Sequence, residues 1–396
     1  RPDQRPDLDL VELPSHEDIL ADPRLLMTAT LALETLIHQG QKAAWQVSGQ
    51  RAVWHNPPAE PLSVAELDFI YGLPFSRRAH PAYQEPIPAL NMLATSLTTH
   101  RGCGGGCSFC SLALHQGRRV VSRSAGSIAA EADGLITKTQ KSGFRPQSGP
   151  VGLKAREQGR EGRSIKPVAL SDVGAATANL WGARCQSPAG KCARRSCLWP
   201  KPCSYFKADQ RNWLNLLKRL SSIPGIKQVR VASGVRYDLL LSNNDLLEEF
   251  LNNYVGGQLK VAPEHLDPDL LRLMRKPGPE CFEQFLDLFT KKAARGRYLI
   301  PYLISAFPGS DTSRMRRLAD WLRGRHWRPR QVQAFIPTPG TVATAMFFAG
   351  VDESGQPLPV ARSDRERLSQ HAFLAPSSQP SSEGKFSGPK RGRRNR

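Results

Sequence analysis

Three cysteines fall within eight residues in a stretch otherwise dominated by glycine: Arg101-Gly-Cys103-Gly-Gly-Gly-Cys107-Ser-Phe109-Cys110. The segment reads as a loop whose spacing, Cys-x3-Cys-x2-Cys, sets three thiolates on one short turn. Three such thiolates can bind three irons of a cubane [4Fe–4S] cluster. The fourth iron then has no protein ligand and is free to chelate the amino and carboxylate groups of S-adenosylmethionine. Gly104, Gly105 and Gly106 let the backbone wrap tightly around the cluster. Phe109 is placed to shield it and to pack near the adenine. A structural zinc site uses four ligands, usually in two pairs, and fits this spacing less well.

From about Ala89 the chain takes up a β–α rhythm, with short β-branched apolar runs alternating with amphipathic stretches. Met92–Thr99, Pro167–Val173, Gln228–Ser233, Gln258–Ala262, Tyr298–Ala306 and Gln331–Ile336 read as strands. Ser127–Thr137, Asn212–Leu220, Asp245–Tyr254, Glu280–Ala293 and Asp311–Arg323 read as helices, with Asp245 and Asp311 as N-caps. Six such units imply a mostly parallel sheet with helices outside it. Such a sheet carries its site at the strand C-terminal ends. The text there is polar or glycine-rich, as in Asp172-Val-Gly174, Gly234-Val-Arg236, Pro263-Glu264-His265 and Phe307-Pro-Gly309. The expected organisation is an N-terminal segment over 1–88, a β/α region over 89–350 and a disordered basic tail over 351–396.

Cys-x3-Cys-x-aromatic-Cys after the first strand of a β/α series is the signature of the radical SAM superfamily, which this chain resembles. More narrowly, it is similar to the YgiQ-type radical SAM family. The shared text is Arg101-Gly-Cys103, Cys110-Ser-Leu, His115-Gln-Gly-Arg118, Ser122-Arg123-Ser124, Lys260-Val-Ala-Pro-Glu264-His265, Met274-Arg-Lys-Pro, Pro301-Tyr-Leu-Ile-Ser305-Ala-Phe-Pro-Gly309, and Gln331-Val-Gln followed by Pro337-Thr-Pro. The resemblance runs from roughly Leu13 to Gly350. It implies a partial (β/α)6 TIM-like barrel, a [4Fe–4S] cluster and S-adenosylmethionine. The implied chemistry is reductive: one electron passes to the sulfonium, a C–S bond breaks, and a 5′-deoxyadenosyl radical abstracts a substrate hydrogen. The resemblance supplies no substrate. It implies a one-electron reductant such as flavodoxin or ferredoxin. Full members of the family are expected to carry more sequence before and after this region.

The same resemblance places cofactor-binding residues after the strands. Gly174 stands where such enzymes receive the methionyl amine on backbone, although a second glycine is expected where this chain has Ala175. Arg236 is expected to pair with the methionyl carboxylate, Ser233 to bond a polar group, and Glu264 to accept from a ribose hydroxyl. Arg118 and Arg123 are expected either to contact the cofactor carboxylate or to close the loop onto an acid. His115 reads more readily as a loop hydrogen-bonder than as a ligand, and His265 is similar.

Cys185, Cys192, Cys197 and Cys203 form a second group, spaced x6, x4 and x5, with Arg194, Arg195 and Lys201 among them. Four thiolates in this loop can bind a second Fe–S cluster or a zinc, and the cations offset their charge. The spacing matches no standard zinc ribbon, and reduced thiols with a local structural role are the alternative. Cys281, in a helical stretch, reads as a core thiol.

The chain has 396 residues and a net charge of +20, of which +16 lies in three stretches: 145–166, 184–211 and 385–396. The first and last are Gly-, Pro- and Ser-rich and read as an insertion and a solvated tail. The charge raises two alternatives, an Fe–S or zinc protein that binds nucleic acid and a radical SAM enzyme that modifies RNA. Few aromatics interleave the basic runs to stack on bases, which leaves RNA weakly supported. At 40% hydrophobic content the chain has enough apolar material for a core, which excludes a wholly disordered polymer. With no apolar run near membrane-spanning length and no signal segment, the expectation is a cytoplasmic protein that binds no membrane.

Overall fold

A computed structural model describes residues 10–142, 167–187, 192–329 and 331–374. The insertion-like stretch 145–166 and the basic residues 385–396 lie outside the described residues. The fold is mixed α/β. Its N-terminal part is a three-stranded sheet in which Leu10–Glu12 runs parallel to Ala43–Ser48, and Arg51–His55 pairs antiparallel with the latter. Helix Arg24–Gln39 carries Met27 into the same buried cluster as Val342, Ala343 and Met346 of helix Val342–Ala349. The N-terminal segment is thereby packed against the end of the β/α region.

Parallel strands occur near all six expected positions. Ser96–Thr98 pairs with Asp172–Gly174, and Val168–Leu170 pairs with Ile226–Val229. Gln258–Glu264, Tyr298–Ser305 and Val332–Ala334 form a three-stranded parallel sheet in that order. The single strand expected at Pro167–Val173 is thus two short ones, separated at Ser171, that serve different neighbours. Another correction falls on Met92–Thr99: Leu90–Leu93 is helical, with Met92 and Leu93 exposed, and the strand starts only at Ser96. Those two apolar side chains mimic a strand in sequence but face solvent.

The helices bury the stripe that their spacing dictates. Ile128, Ala132, Leu135 and Ile136 of helix Ala125–Ser142 are buried, as are Trp213, Leu214, Leu217 and Leu220 of helix Gln210–Ser221. Phe282, Phe285 and Phe289 of helix Pro279–Lys292 join Tyr237 and Phe250 in the largest core. Asp311 caps its helix as expected, accepting from the Arg314 N–H. At Asn244–Asn253 the cap is Asn243, and Asp245 lies inside the first turn. Both residue types suit the position, so sequence alone mislocates it by two residues. Cys281 is half-buried, and burial pushes its thiol up to about 12.

Residues 351–374, expected within a disordered tail, are structured. Asp352 and Leu374 are buried, and Asp364–Ala372 is a helix opened by a Ser363–Glu366 capping box. Its Gln370 donates to the Ser310 carbonyl and Arg367 to that of Phe335.

Candidate functional site

The cysteine loop is held at its base by a two-residue antiparallel ladder, His100–Arg101 against Val121–Ser122. Two glycines are required there by space. Gly102 has φ +85°, and a Cβ on it would lie 2.1 Å from the Arg119 carbonyl oxygen. Gly106 has φ +58°, and its Cβ would lie 2.3 Å from the Arg195 carbonyl oxygen. Ser108 fastens the far side. Its hydroxyl donates to the Leu273 carbonyl at 2.6 Å, and its own carbonyl accepts from the Ala343 N–H at 2.9 Å.

Gly105 marks the centre of the site. A Cβ there would meet Cys103 Sγ at 3.4 Å, Arg236 Nη1 at 3.6 Å and Cys107 Sγ at 3.7 Å. Two thiols and a guanidinium nitrogen therefore face one small space. Arg236 is buried and forks onto Asp238, with Nε to Oδ1 at 2.8 Å and Nη2 to Oδ2 at 2.7 Å. Its Nη1 has no hydrogen-bond partner. Burial opposes the Arg236 charge, but Asp238 outweighs it and holds the guanidinium above its ordinary value. Burial raises the Cys107 thiol against the pull of Lys276 and Arg236, and pushes Cys110 up to about 11. Such thiols need a metal to become thiolates. The chemistry of the donor set, three soft sulfurs beside buried cations, fits an iron–sulfur cluster.

Glu264, at the end of its strand, is buried and has φ +67°, which is uncommon for a residue with a Cβ. Lys276 Nζ lies 3.6 Å away, yet burial still raises the carboxyl above its usual range. Cys103 Sγ is 3.5 Å from Thr177 Oγ1.

The remaining expected residues have their own neighbours in the fold. Asp172 accepts from the Ser233 hydroxyl and, at 2.9 Å, from its N–H. A Cβ on Gly174 would meet Ser233 Oγ at 2.9 Å, so the two are in close register. Phe109 packs edge-on to Phe307, 6.3 Å between centroids. Arg123 is buried against Glu131 and donates to the Thr98 carbonyl, which makes it a tie within the fold. His115 is exposed. His265 is buried, its Nδ1 accepting from the Asp267 N–H, and burial lowers it to about 4.

The second cysteine loop locks onto the first. The Cys197 N–H donates to the Gly104 carbonyl at 2.9 Å, and Ser196 Oγ donates to the Gly105 carbonyl at 2.6 Å. Arg184–Cys185 pairs antiparallel with Phe206–Lys207 and closes this loop.

Sequence reasoning missed a charged hub behind both loops. Arg275, fully buried, pairs with Glu34 and Glu353, and its Nη1 donates to the Gly106 carbonyl at 3.3 Å. Arg195 of the second loop pairs with the same two carboxylates. The Met274-Arg-Lys-Pro text was the available signal for Arg275. Nothing local marks Glu34 or Glu353, which lie far from it in sequence.

Residues 2–96 match a family model described as Radical SAM N-terminal. A UPF0313 protein of Geobacter sulfurreducens is 40% identical over 377 residues, covering 93% of this chain and 58% of that protein. A UPF0313 protein of Methanosarcina mazei is 38% identical over 372 residues, covering 92% of this chain and 55% of that protein. The chain thus spans a little over half the length of these relatives. Among solved structures it is similar to the cobalamin-dependent S-adenosylmethionine radical enzyme OxsB with aqua-cobalamin and S-adenosylmethionine bound, at TM-score 0.47 and 12% identity, over 83% of this chain and 46% of that one.

Proposed function

We propose, from the premise that this chain belongs to the radical SAM family and is of the UPF0313 type, that it cleaves S-adenosylmethionine reductively at a [4Fe–4S] cluster held by Cys103, Cys107 and Cys110. The observation that carries the reading is the space at Gly105, faced by two of the three thiols and by an unpartnered guanidinium nitrogen. When bound, the cluster supplies the electron that breaks a C–S bond of the sulfonium and yields the 5′-deoxyadenosyl radical.

The chain's own residues position and shield. Asp238 holds the Arg236 fork so that Nη1 points toward the thiols, where it suits the methionyl carboxylate. Lys276 and Arg236 offset the negative charge of the thiolates. Glu264 is aimed by its left-handed backbone and suits a ribose hydroxyl. Phe109 and Phe307 wall one side against water. The parallel pairs of Ser96–Thr98 with Asp172–Gly174, of Val168–Leu170 with Ile226–Val229, and of Tyr298–Ser305 with both Gln258–Glu264 and Val332–Ala334 support a partial (β/α)6 barrel. A one-electron reductant of flavodoxin or ferredoxin type is the partner this chemistry needs. Among the described residues, no helix is long and apolar enough to cross a membrane.

The test is anaerobic reconstitution, reduction and assay for 5′-deoxyadenosine. Formation of the nucleoside by the wild type, and its loss in C103A, C107A and C110A, is expected. A reduced, cluster-loaded protein that leaves S-adenosylmethionine intact would refute the reading.

A further inference from the structure

Arg118 is 6% exposed, and its Nε and Nη1 are both buried without a hydrogen-bond partner. A guanidinium so placed is costly unless an anion lies beside it. It borders a cavity of about 660 Å³ that is lined by all four cysteines of the second group, Cys185, Cys192, Cys197 and Cys203. These residues come from two places: Cys185 from the short ladder with Phe206–Lys207, the others from the loop it closes. The fold thus brings four sulfurs with irregular spacing to one chamber and sets a buried cation against it.

The size of the chamber separates two chemistries. A single zinc ion takes sulfurs at about 2.3 Å, which requires them to converge on one point. Among the described residues no group of three Cys, His, Asp or Glu side chains is set around one ion position, the Cys103, Cys107 and Cys110 group included, so the choice between the two rests on the chamber. Four sulfurs around a roomy cavity suit a body of several irons, with each sulfur taking its own. A cluster on four thiolates is negatively charged overall, which is the neighbour the Arg118 guanidinium requires.

We propose that Cys185, Cys192, Cys197 and Cys203 ligate a second [4Fe–4S] cluster, with Arg118 as the buried cation that balances it. The site adjoins the first loop, with Cys103 packed against the buried cluster that holds Cys197, but its assignment does not rest on the S-adenosylmethionine chemistry. It is also mechanically joined to the first loop, through the Cys197 N–H to the Gly104 carbonyl and through Ser196 to the Gly105 carbonyl. Arg118 also borders a smaller cavity beside Cys107 and Cys110, which puts it between the two loops.

The chain is reconstituted anaerobically with ferrous iron and sulfide, desalted, and assayed for iron, sulfide and zinc per chain. The expected wild-type content is about eight irons, four for each cubane. The triple variant C103A/C107A/C110A should keep about four, with a reduced-state electron paramagnetic resonance signal. Cys185 is exposed, so C185S should leave the fold intact, as circular dichroism would check. On the triple-variant background, C185S should shift or abolish the residual signal. R118Q on the same background, with all four thiols kept, should move its reduction potential to a more negative value. About four irons in the wild type and none in the triple variant would overturn the proposal. One zinc per chain in place of the second set of irons, or a residual signal unchanged by C185S, would overturn it equally.

Discussion

The loop from Gly102 to Cys110 is placed mainly by backbone constraints, whereas the loop through Cys192, Cys197 and Cys203 is placed by side chains. In the first, Gly102 and Gly106 leave no room for a single added carbon. In the second, Arg194 donates to the carbonyls of Ser196, Trp199 and Lys201, and Ser196 Oγ accepts from the N–H groups of Leu198 and Trp199. A loop set by close backbone approach tolerates almost no change, so its text is short and regular. A loop set by long side chains admits uneven spacing, and its cysteines form no standard motif. Both cysteine groups stand out in the sequence, but only the first has a spacing that matches a recognised motif.

The largest effect falls on the first loop's sulfurs: replacing Cys103, Cys107 or Cys110 by Ala should drop 5′-deoxyadenosine formation below detection, while C185S should leave it measurable. Equal loss in both would erase the distinction between the loops.

Arg275 is the exception, a side chain that serves both loops. Its replacement by Met leaves Glu34 and Glu353 without their fully buried partner. Breaking such a pair costs about 3–5 kcal/mol, read as a lowered urea midpoint. A change under about 1 kcal/mol would mean that Arg195 alone holds the two carboxylates.

Buried histidines make the fold sensitive to acid. His100 and His265 are buried and lowered from 6.5 to about 4 by burial. Each stays neutral when folded and binds a proton more readily when unfolded, so stability is full above about pH 6.5 and falls as pH drops toward 4. The loss is on the order of 3 kcal/mol per histidine over that window. Urea midpoints measured between pH 7 and 4 should show it, and H265Q should flatten part of the slope. A flat wild-type profile would contradict the burial of these rings.

The smallest effect compares two glycines of positive φ. Gly102→Ala drives a Cβ into the Arg119 carbonyl and should cost at least about 2 kcal/mol. Gly117 has φ +82° but nothing within 4 Å of its Cβ position, so Gly117→Ala should cost only about 1–2 kcal/mol of backbone strain. Equal costs would mean that dihedral preference, and not close approach, sets the first loop.

The legibility of the fold follows the same division. Helix faces such as Ile128, Ala132 and Leu135 were readable because burial and period coincide. Strand ends were less so: Met92 and Leu93 are apolar yet exposed, and the stretch 167–173 splits between two neighbours. The tail boundary failed because residues 351–374 are polar and proline-bearing in sequence but are held by distant partners such as Arg275, Ser310 and Phe335. Spacing and strand ends single out the three cysteines and Arg236 in the sequence, and the structure sets Cys103, Cys107 and Arg236 around Gly105. They do not single out the Asp238 fork that aims Arg236, nor the Glu34–Arg275 pair, because each depends on which surfaces meet after folding.

As proposed, the Gly102–Cys110 loop supplies three ligands and leaves one iron for S-adenosylmethionine. The direct test is electron–nuclear double resonance on the reduced quadruple variant of the second group, C185A/C192A/C197A/C203A, with S-adenosylmethionine labelled at its methionyl nitrogen and carboxylate. Hyperfine coupling of both labels to the cluster is the predicted result. A reduced cluster with S-adenosylmethionine bound and no coupling from either label would contradict it.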